Sequence, residues 1–216
     1  KYRGPSPIQF TVLNGETEIG VTIMLMDEEV DHGPIIAQRK FPISNFQFPN
    51  GMGKPAVPEL RVKLAQIGGD MLVDVIPKWV HGELQAVPQD HSQAIFTRII
   101  TKDDGRIDWN NSAEYIDRQV RAFTPWPGTF TFFKERQSSL PEPQRLLILL
   151  ARETLAVNIF QKEPPGTILR LSDGNMGVVT GKGILQISTL QIEGKKPMSS
   201  KDFFLGHQSF VGLVLS

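Results

Sequence analysis

Two rhythms of apolar residues along 216 positions predict an α/β unit followed by a small β-barrel. In the first part, apolar runs at 21–26 and 35–43 precede a stretch in which Leu60, Leu64, Ile67, Met71, Val75 and Trp79 recur at steps of 4, 3, 4, 4 and 4, as in an amphipathic helix packed on a sheet. Beyond about residue 97 the pattern becomes one helix and five short apolar runs, at 129–133, 145–152, 167–171, 176–180 and 184–192. Turn signals such as Asp173-Gly174 and Gly181-Lys182-Gly183 separate them, as in a Greek-key barrel.

Taken in order, residues 6–15 read as a short helix: Ser6 can cap it, Pro7 suits its first turn and Gly15 supplies a left-handed exit. The run at 21–26 is apolar on both alternating faces, which predicts a strand buried inside a sheet. A polar turn from Asp27 to Pro34 leads into 35–43, whose poorer alternation marks an outer strand. Asn, Gly, Pro and Phe predict an irregular surface loop at 44–58. Gly68-Gly69 weakens the long helix by about 1 kcal/mol per glycine. Residues 82–96 carry Gly, Pro, Gln and Asp without an apolar period and read as a linker, dividing the chain into 1–81 and 97–216. Asn111 or Ser112 can cap a helix whose Ala113, Ile116, Val120 and Phe123 share one face, with Glu114–Arg118 and Asp117–Arg121 as i,i+4 pairs. Pro125-Trp126-Pro127-Gly128 then stops the helix, with Trp126 expected to pack on the barrel.

Composition narrows the chemistry. The 23 basic and 23 acidic residues cancel, so the chain lacks the whole-molecule field of a nucleic-acid packaging protein. The balance is uneven, net −3 over residues 1–90 and net +3 over 91–216. Without cysteine there is no disulfide, thiolate zinc site or cysteine nucleophile, and His32, His81, His91 and His207 fit no short zinc spacing, so no metal is expected. No apolar run approaches the roughly 20 residues that cross a bilayer, and Lys1-Tyr2-Arg3-Gly4-Pro5 lacks the apolar core of a signal peptide. A soluble protein, or a fragment of one, is expected.

Asp31 is the residue on which the chemistry turns. Spacing alone leaves two readings: a solvated acidic turn, or a carboxylate at the carboxyl end of a sheet strand, where open α/β proteins place ligand sites. Its context is more specific. Lys1-Tyr2-Arg3-Gly4-Pro5-Ser6-Pro7, the run from Gly20 to Ile35 with its Asp31-His32-Gly33, Asp104-Gly105-Arg106-Ile107-Asp108-Trp109 and the segment from Arg121 to Gly128 together resemble the folate-dependent formyltransferase superfamily. Glu193-Gly194-Lys195-Lys196-Pro197-Met198-Ser199 resembles its methionyl-tRNA branch. The resemblance spans nearly the whole chain. It implies part of a Rossmann-like formyltransferase domain followed by an OB-like barrel that docks tRNA.

The resemblance also implies a reaction, formyl transfer from 10-formyltetrahydrofolate to the amine of methionyl initiator tRNA, as in translation initiation. Asp31 matches the family's catalytic aspartate, which would hold a histidine and assist proton transfer while an asparagine donates to the developing oxyanion. That asparagine and histidine belong to an Asn-x-His segment preceding Tyr-Arg-Gly. The sequence in hand starts at Lys1, so the 216-residue chain by itself is expected to be inactive. His32 follows Asp31 directly, and neighbours in a turn rarely aim at one spot, so it is no substitute. Folate contacts are implied for the backbone of Asp27, Glu28, Glu29, Val30 and Asp31. Arg118, Arg121, Lys195 and Lys196 are candidates for tRNA phosphates, although Lys195 and Lys196 read equally well as a solvated turn. A monomer in the bacterial cytoplasm or an organellar matrix is expected. Two alternatives stand: a formyltransferase for an aminosugar or other small amine, which needs no phosphate-tracking face, and a non-catalytic RNA-binding module.

Overall fold

A computed structural model of the chain describes residues 1–46, 48, 54–134, 142–154 and 163–216. These form two units, Lys1–Ile100 and Thr101–Ser216.

In the first unit the order is β1 (Tyr2–Arg3), α1 (Pro7–Leu13), β2 (Glu18–Met24), β3 (Ile35–Pro42), α2 (Val57–Val80) and β4 (Ile95–Phe96). Pro7 and Gly15, the latter at φ 67°, bracket α1 as its sequence implies. Ser6 does not cap it through its side chain; this buried residue instead gives its N–H to Thr97 Oγ1 at 3.1 Å. The stripe on α2 is as periodicity requires, with Leu60, Leu64, Met71 and Val75 buried and Ile67 and Trp79 partly so. The helix packs on β2, where a Cβ at Gly68 would rest 3.5 Å from Val21.

β2 and β3 form an antiparallel pair, Glu18 opposite Pro42 and Met24 opposite Ile35. The expectation that residues 21–26 are buried on both faces is corrected. Ile19 is the one buried residue of β2, because among the described residues β3 is its only strand partner. Residues 82–96, expected as a linker, join this unit through backbone pairing: Val87 and Ile35 exchange two hydrogen bonds of 2.8 Å, and β4 lies parallel to β1. The division therefore falls between Ile100 and Thr101. Main-chain pairing leaves no trace in the side-chain pattern from which the linker was read. The loop expected at 44–58 lies partly outside the described residues.

The second unit holds α3 (Ala113–Ala122), β5 (Thr129–Phe133), β6 (Gln144–Thr154), β7 (Ile168–Arg170), β8 (Met176–Val179), β9 (Ile184–Ile192), β10 (Met198–Ser199) and α4 (Ser200–Gly206). All five expected strands form, in the antiparallel order β5-β6-β9-β8-β7, with β10 added to β9. With the parallel β1–β4 pair, the chain is α/β with mixed pairing. Among the described residues no named strand closes the sheet from β5 to β7. The last residues reach both edges: Ser216 and Phe132 exchange backbone hydrogen bonds of 2.8 and 3.0 Å, and Ile168 donates to Leu213 at 2.8 Å. Ser112 Oγ caps α3 by accepting from Tyr115 N–H at 3.1 Å, and Ala113, Ile116, Val120 and Phe123 are buried as expected. Ala113, Ile116 and Val120 share a core with Trp109, whose indole N–H donates to Thr131 Oγ1 at 3.0 Å. Trp126 is 54% exposed, contrary to the expectation that it packs on the sheet, because the turn at 124–127 stands at the surface. β10 and α4 were not expected, yet a signal was present: Ser199 caps α4 by accepting from Asp202 N–H, the spacing of a capping box.

Candidate active site

Asp31 ends the turn that follows β2, and it is there that the first unit concentrates its polar side chains. Its backbone is left-handed at φ 54°, a conformation that aspartate tolerates better than most side chains. Gly33 makes the turn possible. A Cβ at that position would lie 1.9 Å from Leu25 O, and the strands close above it through a 3.0 Å bond from Leu25 N–H to Pro34 O. The Asp31 carboxylate is half-buried and accepts a 2.6 Å hydrogen bond from Gly4 N–H. Gly4, at φ 99°, passes so near Thr97 that a Cβ would meet its carbonyl oxygen at 2.9 Å. Two segments 27 residues apart, Tyr2-Arg3-Gly4 and Asp31-His32-Gly33, thus meet at one hydrogen bond.

Around this contact lie Arg3 and His32 of the two motifs, together with Gln89 and His91, which no motif contains. Arg3 is buried, and its guanidinium donates through Nη1 to His91 Nδ1 at 3.0 Å and through Nη2 to Gln89 Oε1 at 2.9 Å. His91 stacks on His32, with ring centroids 3.9 Å apart. His32 in turn donates through Nδ1 to Asp27 Oδ2 at 2.7 Å. That bond, joined by Glu29 N–H and opposed by slight desolvation, holds the Asp27 carboxyl below its usual range. Nothing in the spacing of Gln89 or His91 marked them, because both fall in the segment that lacks an apolar period.

Among the five turn residues expected to meet folate, Asp27, Glu28, Glu29 and Val30 are exposed and Asp31 is half-buried. The expected phosphate contacts are less uniform. Lys195 and Lys196 are exposed on the turn after β9, where Gly194 takes φ 77° and Lys195 N–H donates to Ile192 O at 2.9 Å. Arg118 is partly exposed and bonded to Glu114 at 2.6 Å. Arg121 departs from expectation: its side chain is 7% exposed and pairs at 3.3 Å with Asp117, which is fully buried. The i,i+4 spacing identified the pair correctly, but such spacing does not say which face of the helix is covered. A cavity of about 490 Å³ in the second unit is lined by Arg106–Asn110, Pro165, Leu215 and Ser216 and contains none of the selected residues. Among the described residues no three His, Asp or Glu side chains form a group able to hold a metal, and no helix is long and apolar enough to cross a membrane.

The family model for the formyl transferase C-terminal domain matches residues 99–208, and the formyl transferase model matches residues 1–50. The chain belongs to the formyl transferase family. Within it, a protein of Roseiflexus sp. (strain RS-1) named methionyl-tRNA formyltransferase is 40% identical over 205 residues, covering 95% of this chain and 57% of its own length. The chain spans 57–60% of the first curated formyltransferases it matches. HypX from Aquifex aeolicus in complex with tetrahydrofolic acid superposes with a TM-score of 0.63 at 18% identity, covering 94% of this chain and 33% of that one. The N-formyltransferase from Helicobacter canadensis with folinic acid and dTDP-3-aminofucose gives 0.59 at 20% identity, covering 87% and 61%. At such identities these structures show a shared formyltransferase fold alone.

Proposed function

We infer that this chain is part of a methionyl-tRNA formyltransferase, contributing the catalytic carboxylate Asp31 and a unit that meets tRNA. The observation that carries the reading is the 2.6 Å bond from Gly4 N–H to Asp31, which joins the two motifs of the family on a half-buried carboxylate. A solvated acidic turn has no need of such a fixed carboxylate. The 40% identity to the Roseiflexus methionyl-tRNA formyltransferase supports the substrate.

Under this reading 10-formyltetrahydrofolate supplies the formyl group, which the α-amine of methionyl initiator tRNA accepts. The turn fits such a co-substrate in one respect. Met26 and Val30, 92% and 66% exposed, border the exposed acidic residues with apolar surface suited to a flat ring. In this role Asp31 would hold the histidine of the family's Asn-x-His segment in its productive orientation and stabilise the charge that forms on it as the amine loses its proton. Gly4 N–H keeps one carboxylate oxygen fixed. The backbone of Asp27, Glu28, Glu29, Val30 and Asp31 is the surface proposed for folate.

For the second unit, the backbone bonds of residues 213–216 to β5 and β7 support an OB-like barrel completed by the C-terminal segment. Lys195, Lys196 and Arg118 are its proposed phosphate contacts, whereas Arg121 lies inside. A monomer working where translation initiates, in a bacterial cytoplasm or an organellar matrix, accords with these substrates. The test is Asp31→Asn in the enzyme that carries these residues, under single turnover. The chemical step should slow by about 10²-fold with tRNA affinity unchanged. A near-normal rate, or formylation of a nucleotide-linked aminosugar in preference to methionyl-tRNA, rejects the reading.

A further inference from the structure

We propose that Gln89 is a positioning residue for Asp31, acting as a carboxamide clamp on the turn that carries it. This rests on the reading of Asp31 as the catalytic carboxylate. Gln89 Nε2 donates to Gly33 O at 2.6 Å and to Asp31 O at 3.1 Å, while Oε1 accepts from Arg3 Nη2 at 2.9 Å. The orientation of the amide is settled by its neighbours, because a guanidinium can only donate and backbone carbonyls can only accept. Both Nε2 protons are used by the two carbonyls, and Met24 Sδ at 3.7 Å adds a weaker contact.

Each bond acts on a different part of the device. The two carbonyls flank His32 and fix the left-handed turn at Asp31, which its backbone conformation alone would not favour. Arg3 immediately precedes Gly4, whose N–H holds the Asp31 carboxylate. One side chain therefore ties both halves of the Gly4–Asp31 contact together, from a segment 56 to 86 residues away in sequence. His91 supports the arrangement from the other side, accepting from Arg3 and stacking on His32.

Gln89→Glu is the informative variant, since it keeps size and the bond to Arg3 but turns an oxygen toward two carbonyl oxygens. Gln89→Met, similar in length and unable to make any of the three strong bonds, is the second. In the 216-residue chain, amide spectra should show Gly4 N–H losing its downfield position and exchanging roughly tenfold or more faster in both variants, with the amides of α3 and β5–β9 unmoved. In the enzyme that carries these residues, Gln89→Glu should lower kcat about 10- to 100-fold while KM for methionyl-tRNA stays within about threefold. On an Asp31→Asn background the same change should cost less than about threefold, because the group it positions is already gone. An unchanged Gly4 amide in either variant overturns the clamp, and so does an equal loss of kcat on both backgrounds. If Asp31→Asn alone leaves transfer normal, the functional reading fails while the Gly4 amide still reads the clamp.

Discussion

Asp27 and His32 show how a single contact shifts a titration in the candidate site. The carboxyl is exposed, yet its hydrogen bond from His32 keeps it below the ordinary value of 3.8. A carboxylate whose folded value is depressed contributes stability above its unfolded value and loses that contribution as pH falls through the folded one. His32→Ala should therefore raise the Asp27 titration toward 3.8 and remove a contribution that is present at neutral pH, so that variant and parent differ near neutrality and converge as pH falls below the folded value. Carbon-detected titration of the Asp27 carboxyl measures it, and an unmoved midpoint rejects the pairing. The stack of His32 on His91 makes the substitution felt at Arg3 as well, since His91 is the acceptor of its Nη1 bond.

At the scale of the element, α3 buries more than its apolar stripe. Asp117 is fully buried and paired with Arg121, so the helix carries an ion pair on a covered face. Removing one partner of a buried ion pair is destabilising by about 3–5 kcal/mol, whereas replacing both with well-packed apolar groups is often neutral. Arg121→Ala should lose that amount in denaturant unfolding, and Asp117→Leu combined with Arg121→Met should lose much less. An Arg121→Ala protein of normal stability that bound tRNA poorly would instead return Arg121 to the phosphate surface. The helix also shows where local signals serve well: Ser112, the 3.6-residue stripe and the i,i+4 pairs were all legible, because each depends on residues within a turn or two.

For the whole molecule, charge is divided rather than uniform, net −3 over residues 1–90 and net +3 over 91–216. If the second unit meets phosphates through Lys195 and Lys196, binding of the 216-residue chain to initiator tRNA should weaken with salt. Replacing both lysines with alanine should flatten the dependence by up to roughly one unit of slope per lost phosphate contact, for different tRNAs alike. Affinity across a salt series decides it, and unchanged affinity and slope would make the two lysines solvated turn residues. By itself the sequence determined the strands β5 to β9 of the second unit, the buried stripe of α2, the start of α3 at Asn111 or Ser112 and the Tyr-Arg-Gly and Asp-x-Gly motifs. These are signals of period or composition that act over short spans. Tertiary structure alone decided that residues 82–96 pair with the first unit, that Arg121 turns inward and that Gln89, Arg3 and Asp31 meet. Hydrogen bonds between residues tens of positions apart impose no period on the chain, so they become visible only once the backbone has brought their donors and acceptors together.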